Sequence, residues 1–250
     1  MLLAAVEYVR PSSLADALSA LGSNPNARAL AGGQTLINVM KARAAQPDLL
    51  VDLADLEELR GVSESSGQLE IGAMTTYAEL MDSGEVYDTR PVVSRVAGEI
   101  ADVQVRNRGT IGGNVCLSDP TNHFPPLMVA MNAQMTIAAP GGERQVPAGD
   151  FFLGVYMTAV QPGELLTKIT IPPAEGDGFA AVTIGKDGTC IVNAAATKNG
   201  DVRYAIGCVG AVPATSLDGL DPSSDVHGSA DYRRHLAKIL VERAVKEAGG

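Results

Sequence analysis

The chain has 250 residues, 46% of them hydrophobic, which is enough to bury one large core or two to three smaller ones. Its formal net charge of −10 argues against sequence-independent nucleic-acid binding, which relies on Lys and Arg neutralising phosphates, so any anionic ligand has to be held by local donors. Three well-separated cysteines, Cys116, Cys190 and Cys208, form neither a disulfide framework nor a CxxC site, and no apolar run is long enough to span a bilayer. The opening residues lack a basic segment and reach Glu7 early for a signal peptide, so the expected location is cytoplasmic.

The first predicted element is a helix over about residues 13–21, with Ser13 as cap, Leu14, Ala17, Leu18 and Leu21 at helical spacing, and Gly22 as the stop. A short strand ending near Ala31, a Gly-Gly turn, a helix with Leu36, Val39 and Met40 on one face, and a strand at about 49–53 make a β-α-β unit. Ser65, Ser66 and Gly67 form a hairpin turn before the alternating run Leu69 to Ala73, and Thr75 or Thr76 then caps a helix. Another helix is expected over about 91–100, and Pro125 and Pro126 open a further apolar helical run. Strands follow at about 134–138, ending at Pro140-Gly141-Gly142, and at about 165–171. After a turn-rich stretch at 175–178, three β-like runs separated by Asp187-Gly188 and Asn199-Gly200 read as a meander. A helix over about 231–247 closes the chain, with Leu236, Ile239, Leu240 and Val245 on its apolar face.

Two glycine pairs stand out, Gly32-Gly33 and Gly112-Gly113. A side chain beyond Cα keeps main-chain N–H groups from a pyrophosphate, so adjacent glycines clear that approach, and Thr35, Thr110 and Asn114 add side-chain hydrogen bonds. Neither pair has the GxGxxG spacing and neither is followed by a Walker lysine, so Rossmann and P-loop readings fail. Taken singly, each pair is also compatible with a plain tight turn.

The ordered series AGGQTLINVMKAR at 31–43, RNRGTIGGN at 106–114, DP at 119–120, GERQVPAGDFFLG at 142–154, PGELLTKITIP at 162–172 and SADYRRHLAKILVERA at 229–244 resembles the FAD-binding medium subunit of the molybdenum hydroxylases. That family includes carbon monoxide dehydrogenase, xanthine dehydrogenase and nicotine or nicotinate dehydrogenases. The resemblance implies an α+β fold: a two-subdomain FAD-binding unit of the PCMH or vanillyl-alcohol-oxidase type, at 1–55 and 56–174, then a small α+β C-terminal domain at 175–250. It implies a flavoprotein oxidoreductase subunit of a heterotrimer. FAD would relay electrons from an iron–sulfur small subunit to an external acceptor, while molybdopterin and substrate hydroxylation belong to a separate large subunit. No residue of this chain is then expected to be an acid–base catalyst or a metal ligand.

Carried over by motif, the resemblance assigns FAD contacts to Leu30, Ala31, Gly32, Gly33, Gln34, Thr35, Leu36 and Ile37, and to Thr110, Ile111, Gly112, Gly113 and Asn114. It also places Ile100 near the adenine and Leu166 near the flavin ring, although both read as core positions on residue type alone. His123 stands where the family usually has an aspartate that meets the ribose or adenine, and is expected to face the same half of FAD as a neutral hydrogen-bonding group. Ala180 and Val182 occupy the region where a Tyr or Lys often lies near the flavin, Lys186 reads either as a substitute or, better, as an exposed turn lysine, and the stretch from Thr215 to Asp225 is shorter than the family's connection. Cys116 reads as a small buried thiol, Asp119 with Pro120 as a turn, and Arg106 and Arg108 either as counter-charges or as solvated surface. Two further readings are a stand-alone FAD-dependent reductase of related fold, which the closing helix motif disfavours, and a non-redox nucleotide-binding or assembly module.

Overall fold

The computed structural model describes residues 2–185 and 188–250. Strands β1 (Glu7–Val9), β2 (Ala27–Leu30) and β3 (Leu49–Asp52) form a parallel sheet in the order β1-β3-β2, connected through α1 (Leu14–Ser23) and α2 (Leu36–Lys41). Ser13 caps α1 by accepting from the Asp16 N–H at 3.1 Å, and Ala17, Leu18 and Leu21 bury the helix on the sheet. The helix runs through Gly22, which keeps a negative φ and so does not act as a left-handed stop. Strand β1 is exposed along its whole length and has no inside–outside alternation, which is why it escapes a reading of periodicity.

The second sheet starts with the hairpin β4 (Val62–Ser65) and β5 (Gln68–Gly72), whose turn places Ser66 and Gly67 at φ 53° and 79°. These left-handed values match the twist of the flanking strands. Helices α3 (Tyr77–Asp82), α4 (Gly84–Thr89), α5 (Pro91–Gly98), α6 (Val103–Arg106), α7 (Ile111–Leu117) and α8 (Phe124–Ala130) then intervene before β6 (Gln134–Ala139) and β7 (Gly142–Pro147). After α9 (Ala148–Phe151) and the small hairpin of β8 (Phe152–Gly154) and β9 (Met157–Thr158), β10 (Leu165–Ile171) enters the middle of the sheet. The antiparallel order is β4-β5-β10-β6-β7, and the helices cover a core that includes Leu69, Ile71, Phe124, Leu127 and Ile169.

The third sheet is the meander β11 (Gly176–Thr183), β12 (Cys190–Asn199) and β13 (Asp201–Gly207), backed by α10 (Ala230–Glu247). Gly200 turns β12 into β13 with φ 69°, while Asp187 of the other expected turn lies outside the described residues. The stretch at 175–178 is not a turn. Gly176 and Gly178 belong to β11, and a Cβ on either would lie 2.6 Å from the Ala248 carbonyl oxygen or 2.0 Å from that of Ala244, so the glycines admit the last turn of α10. The buried face of α10 centres on Leu236, Ala237, Leu240, Val241 and Ala244, with Ile239 and Val245 at its edge.

A buried ion pair fastens this sheet to the second. Arg90, 1% exposed at the start of α5, donates to both carboxylate oxygens of Asp177 at 2.6 Å, and the Thr197 hydroxyl donates to the same carboxylate at 2.7 Å. Bidentate geometry and the extra donor satisfy charges that burial would otherwise penalise.

Candidate functional site at the two glycine segments

The first segment leaves β2 at Leu30 and enters α2 after Thr35. Gly33 adopts φ 72°, where a side chain is strained, and its carbonyl accepts from the Ile37 N–H at 3.2 Å. Gln34 folds back so that Nε2 donates to the Gly32 carbonyl at 2.9 Å, and Asn38 Nδ2 donates to the Gln34 carbonyl at 2.7 Å. These bonds occupy the carbonyls of the turn. The backbone N–H groups of Gly32, Gly33, Gln34, Thr35 and Leu36 meet no protein acceptor among the described residues. Five consecutive free donors on a half-exposed turn are partial positive charges suited to a phosphate.

The second segment is the opening turn of α7, not a loop. Thr110 is its cap, its Oγ1 accepting from the Gly113 N–H at 3.0 Å. The Ile111 N–H donates to the Thr75 carbonyl at 3.0 Å, that of Gly112 to Ala73 at 2.9 Å and that of Asn114 to Thr110 at 3.0 Å. Every N–H from 111 to 114 is thus taken by the protein. Gly112 is buried because α7 is pressed onto Ala73, whose carbonyl oxygen would be 2.5 Å from an added Cβ, which corrects its reading as a clearing for a ligand. Gly113 is exposed, and an added Cβ would lie 2.9 Å from the capping Thr110 Oγ1 and 3.8 Å from the Ala31 Cβ.

The two segments touch. A Cβ on Gly32 would be 2.0 Å from the Arg108 carbonyl oxygen and 2.9 Å from Gly109 Cα, so the first turn sits directly against the approach to α7. Asn114, 8% exposed, projects from α7, and its Nδ2 donates to the Tyr77 hydroxyl at 2.9 Å while its Oδ1 is buried without a partner.

Other expected residues have protein surroundings. Leu166, on β10 opposite Ile137, is 4% exposed and part of the main core, and Ile100 packs half-buried against that core at the end of α5. His123 precedes α8, is 7% exposed, holds Nδ1 at 3.0 Å from Asn193 Nδ2 of β12, and meets the Phe179 ring edge-on at 5.3 Å. Its neighbours are residues of the third sheet. The Arg106 guanidinium donates to the Ile100 and Ala101 carbonyls at 3.0 and 2.7 Å, bracing the turn after α5. Asp119 accepts from the Thr121 N–H and hydroxyl, as a turn former does.

Ala180 and Val182 pack beside the third core, and Lys186 lies outside the described residues. Desolvation pushes the half-buried Cys116 thiol up to about 12. Reading the sequence did not bring Cys190 and Cys208 together, and nothing local signals their meeting, which follows from the pairing of β12 with β13. The nearness of the two sulfurs lowers the Cys190 thiol and raises that of Cys208.

Residues 4–174 match the family described as the FAD binding domain in molybdopterin dehydrogenase. The carbon monoxide dehydrogenase medium chain of Afipia carboxidovorans is 38% identical, over 97% of this chain and 96% of its own length. The nicotine 6-hydroxylase medium subunit of Paenarthrobacter nicotinovorans is 31% identical over 100% and 99%. Among solved structures, a carbon monoxide dehydrogenase from Hydrogenophaga pseudoflava superposes with a TM-score of 0.94 at 33% identity, covering 100% of this chain and 99% of that one. The first of these alignments spans 276 positions, more than the 250 residues here, so that relative carries insertions this chain lacks. Among the described residues no helix interrupts the stretch from β13 to α10, where the shortened connection was expected. Fold, glycine segments and relatives agree: the chain belongs to the FAD-binding domain family of the molybdopterin dehydrogenases.

Proposed function

We propose that this chain is the FAD-binding, electron-relaying subunit of a heterotrimeric, cytoplasmic molybdenum hydroxylase. It would take electrons from a partner carrying [2Fe-2S] clusters and hand them to an external acceptor, with molybdopterin and substrate oxidation on a third subunit. The observation that carries this reading is the run of five unpaired N–H donors from Gly32 to Leu36, set against the exposed Gly113 and the half-satisfied amide of Asn114. Such a donor set fits FAD. A pyrophosphate supplies acceptors for the main-chain donors, and burial without a partner leaves Asn114 Oδ1 in need of a ligand.

FAD supplies the redox chemistry when bound, and the residues of this chain bind, orient and shield it. In this reading Leu30, Ala31 and Ile37 frame the donor turn, and Gln34 and Thr35 close it. Thr110, Ile111 and Gly112 hold α7 in place from behind, while Gly113 and Asn114 face the cofactor. Ile100 and Leu166 line its two ends from the core. His123 fastens α8 to the third sheet. This reading keeps the domain limits 1–55, 56–174 and 175–250.

Denaturing the purified chain or its complex and identifying the released flavin tests the reading. FAD is expected; release of FMN alone, or an apoprotein that takes up neither flavin, overturns it. Isolated chain with chemically reducible flavin should show no hydroxylase activity until its partners are added. Hydroxylation by this chain alone, with no molybdenum present, would refute the relay assignment.

A further inference from the structure

Tyr77 is the first residue of α3, and three features fix its position. Thr76 and Glu79 form a capping box, with the Thr76 N–H donating to Glu79 at 2.6 Å and the Glu79 N–H donating to Thr76 Oγ1 at 3.2 Å. The Tyr77 N–H donates to the Gly109 carbonyl at 3.1 Å, and Thr76 bridges to Thr110. The ring stacks on Phe124 with centroids 5.9 Å apart and planes 9° from parallel. Its Cε2 would be 2.6 Å from a Cβ on Gly109, so glycine there admits the ring. The hydroxyl thereby arrives 2.9 Å from Asn114 Nδ2.

Among the described residues this hydroxyl is the protein partner of the Asn114 side chain, and the opposite end of the amide is buried and unpaired. A phenol both donates and accepts, so it holds the amide by either end. The other end is then held buried for a ligand, as oxygen toward a hydroxyl or as NH2 toward a phosphate oxygen. Burial also pushes the Tyr77 phenol up to about 12, which keeps its proton in place at working pH.

We propose that Tyr77 is a positioning residue for FAD, holding the Asn114 amide so that its unpaired end meets the cofactor. The inference rests on the reading above in which Asn114 contacts FAD, and the test separates the two. FAD is titrated into the full-length apoprotein of the wild type, Asn114→Ala, Tyr77→Phe and the double variant, with thermal melts to confirm folding. Asn114→Ala should weaken FAD about tenfold and Tyr77→Phe somewhat less, roughly the loss of one buried hydrogen bond. The Phe change should add nothing in the Ala background.

Unchanged affinity in Asn114→Ala overturns the Asn114 contact and the role of Tyr77 with it. Weakening by Asn114→Ala without weakening by Tyr77→Phe overturns the role of Tyr77 alone. A Phe effect of equal size in both backgrounds means that Tyr77 acts through packing, which also overturns it. If Tyr77→Phe does not fold, exchange of the Tyr77 hydroxyl proton in the wild type decides by NMR. Protection that rises on adding FAD supports the proposal, and free exchange with FAD bound refutes it.

Discussion

The two glycine pairs look alike in sequence and do different work. At Gly32-Gly33 the carbonyls are bonded within the segment and five N–H groups have no protein acceptor among the described residues, whereas at Gly112-Gly113 each N–H from 111 to 114 is already paired. Gly33 is needed for its left-handed φ, and Gly32 and Gly112 are needed because other backbone lies where a Cβ would go. A missing side chain signals close approach without saying what approaches. Here, of the four glycines, only Gly113 combines exposure with a negative φ, so it is the position where a side chain would meet a ligand before it met the protein's own backbone.

Gly32→Ala should break this arrangement most severely. The new Cβ would be 2.0 Å from a carbonyl oxygen, and the obstacle is main chain that cannot swing aside. A stability loss of about 3 kcal/mol, at the upper end for overpacking, is expected from urea unfolding of the apoprotein. A loss below about 1 kcal/mol would mean that the two segments are not in contact in solution. Gly113→Val should instead act on the ligand. Its Cβ would crowd the Thr110 hydroxyl at 2.9 Å, costing at most about the 1 kcal/mol of that cap, so the fold should survive while FAD affinity falls at least about tenfold, or about 1.4 kcal/mol. Normal FAD occupancy in that variant would reduce the start of α7 to a structural element.

Thr110→Ala comes next in size. It removes the acceptor of the Gly113 N–H, a cap worth about 1 kcal/mol of stability, and urea midpoints should report that loss. The freed N–H would then resemble those of the first segment. FAD affinity that drops with no change in stability would show that the Thr110 hydroxyl serves the cofactor and not the helix.

Elements with both a cap and a clear period were legible: α1 with Ser13, α3 with Thr76, the β4–β5 turn at Ser66 and Gly67, and α10. Those built from exposed residues, β1 and β7, were not, because no buried face imprints a pattern on them. The short helices α4 and α6 were missed although Ser83 and Asp102 cap them, since six and four residues carry too little periodicity. Motif and spacing pointed to both segments but not to the fate of their N–H groups, which depends on Ala73 and Thr75 lying beside α7. His123 shows the same limit. Its partners Asn193 and Phe179 are about seventy and fifty-six residues away in the chain, and only the packing of β11 and β12 on α8 brings them to it.

The smallest expected effect sharpens the comparison furthest, because Thr35 occupies the same cap position in the first segment that Thr110 holds in the second. Thr35 has helical backbone angles, φ −100° and ψ −53°, and its hydroxyl makes no capping bond. A side chain that accepts nothing from the helix stabilises it little, and Thr35 is exposed. Thr35→Ala should therefore change the stability of the apoprotein by less than about 0.5 kcal/mol, the scale of an ordinary surface substitution. Urea unfolding of Thr35→Ala beside Thr110→Ala makes the contrast direct. Equal losses in the two variants would mean that both threonines cap their helices and that the donors of the first segment are less free than the backbone geometry shows.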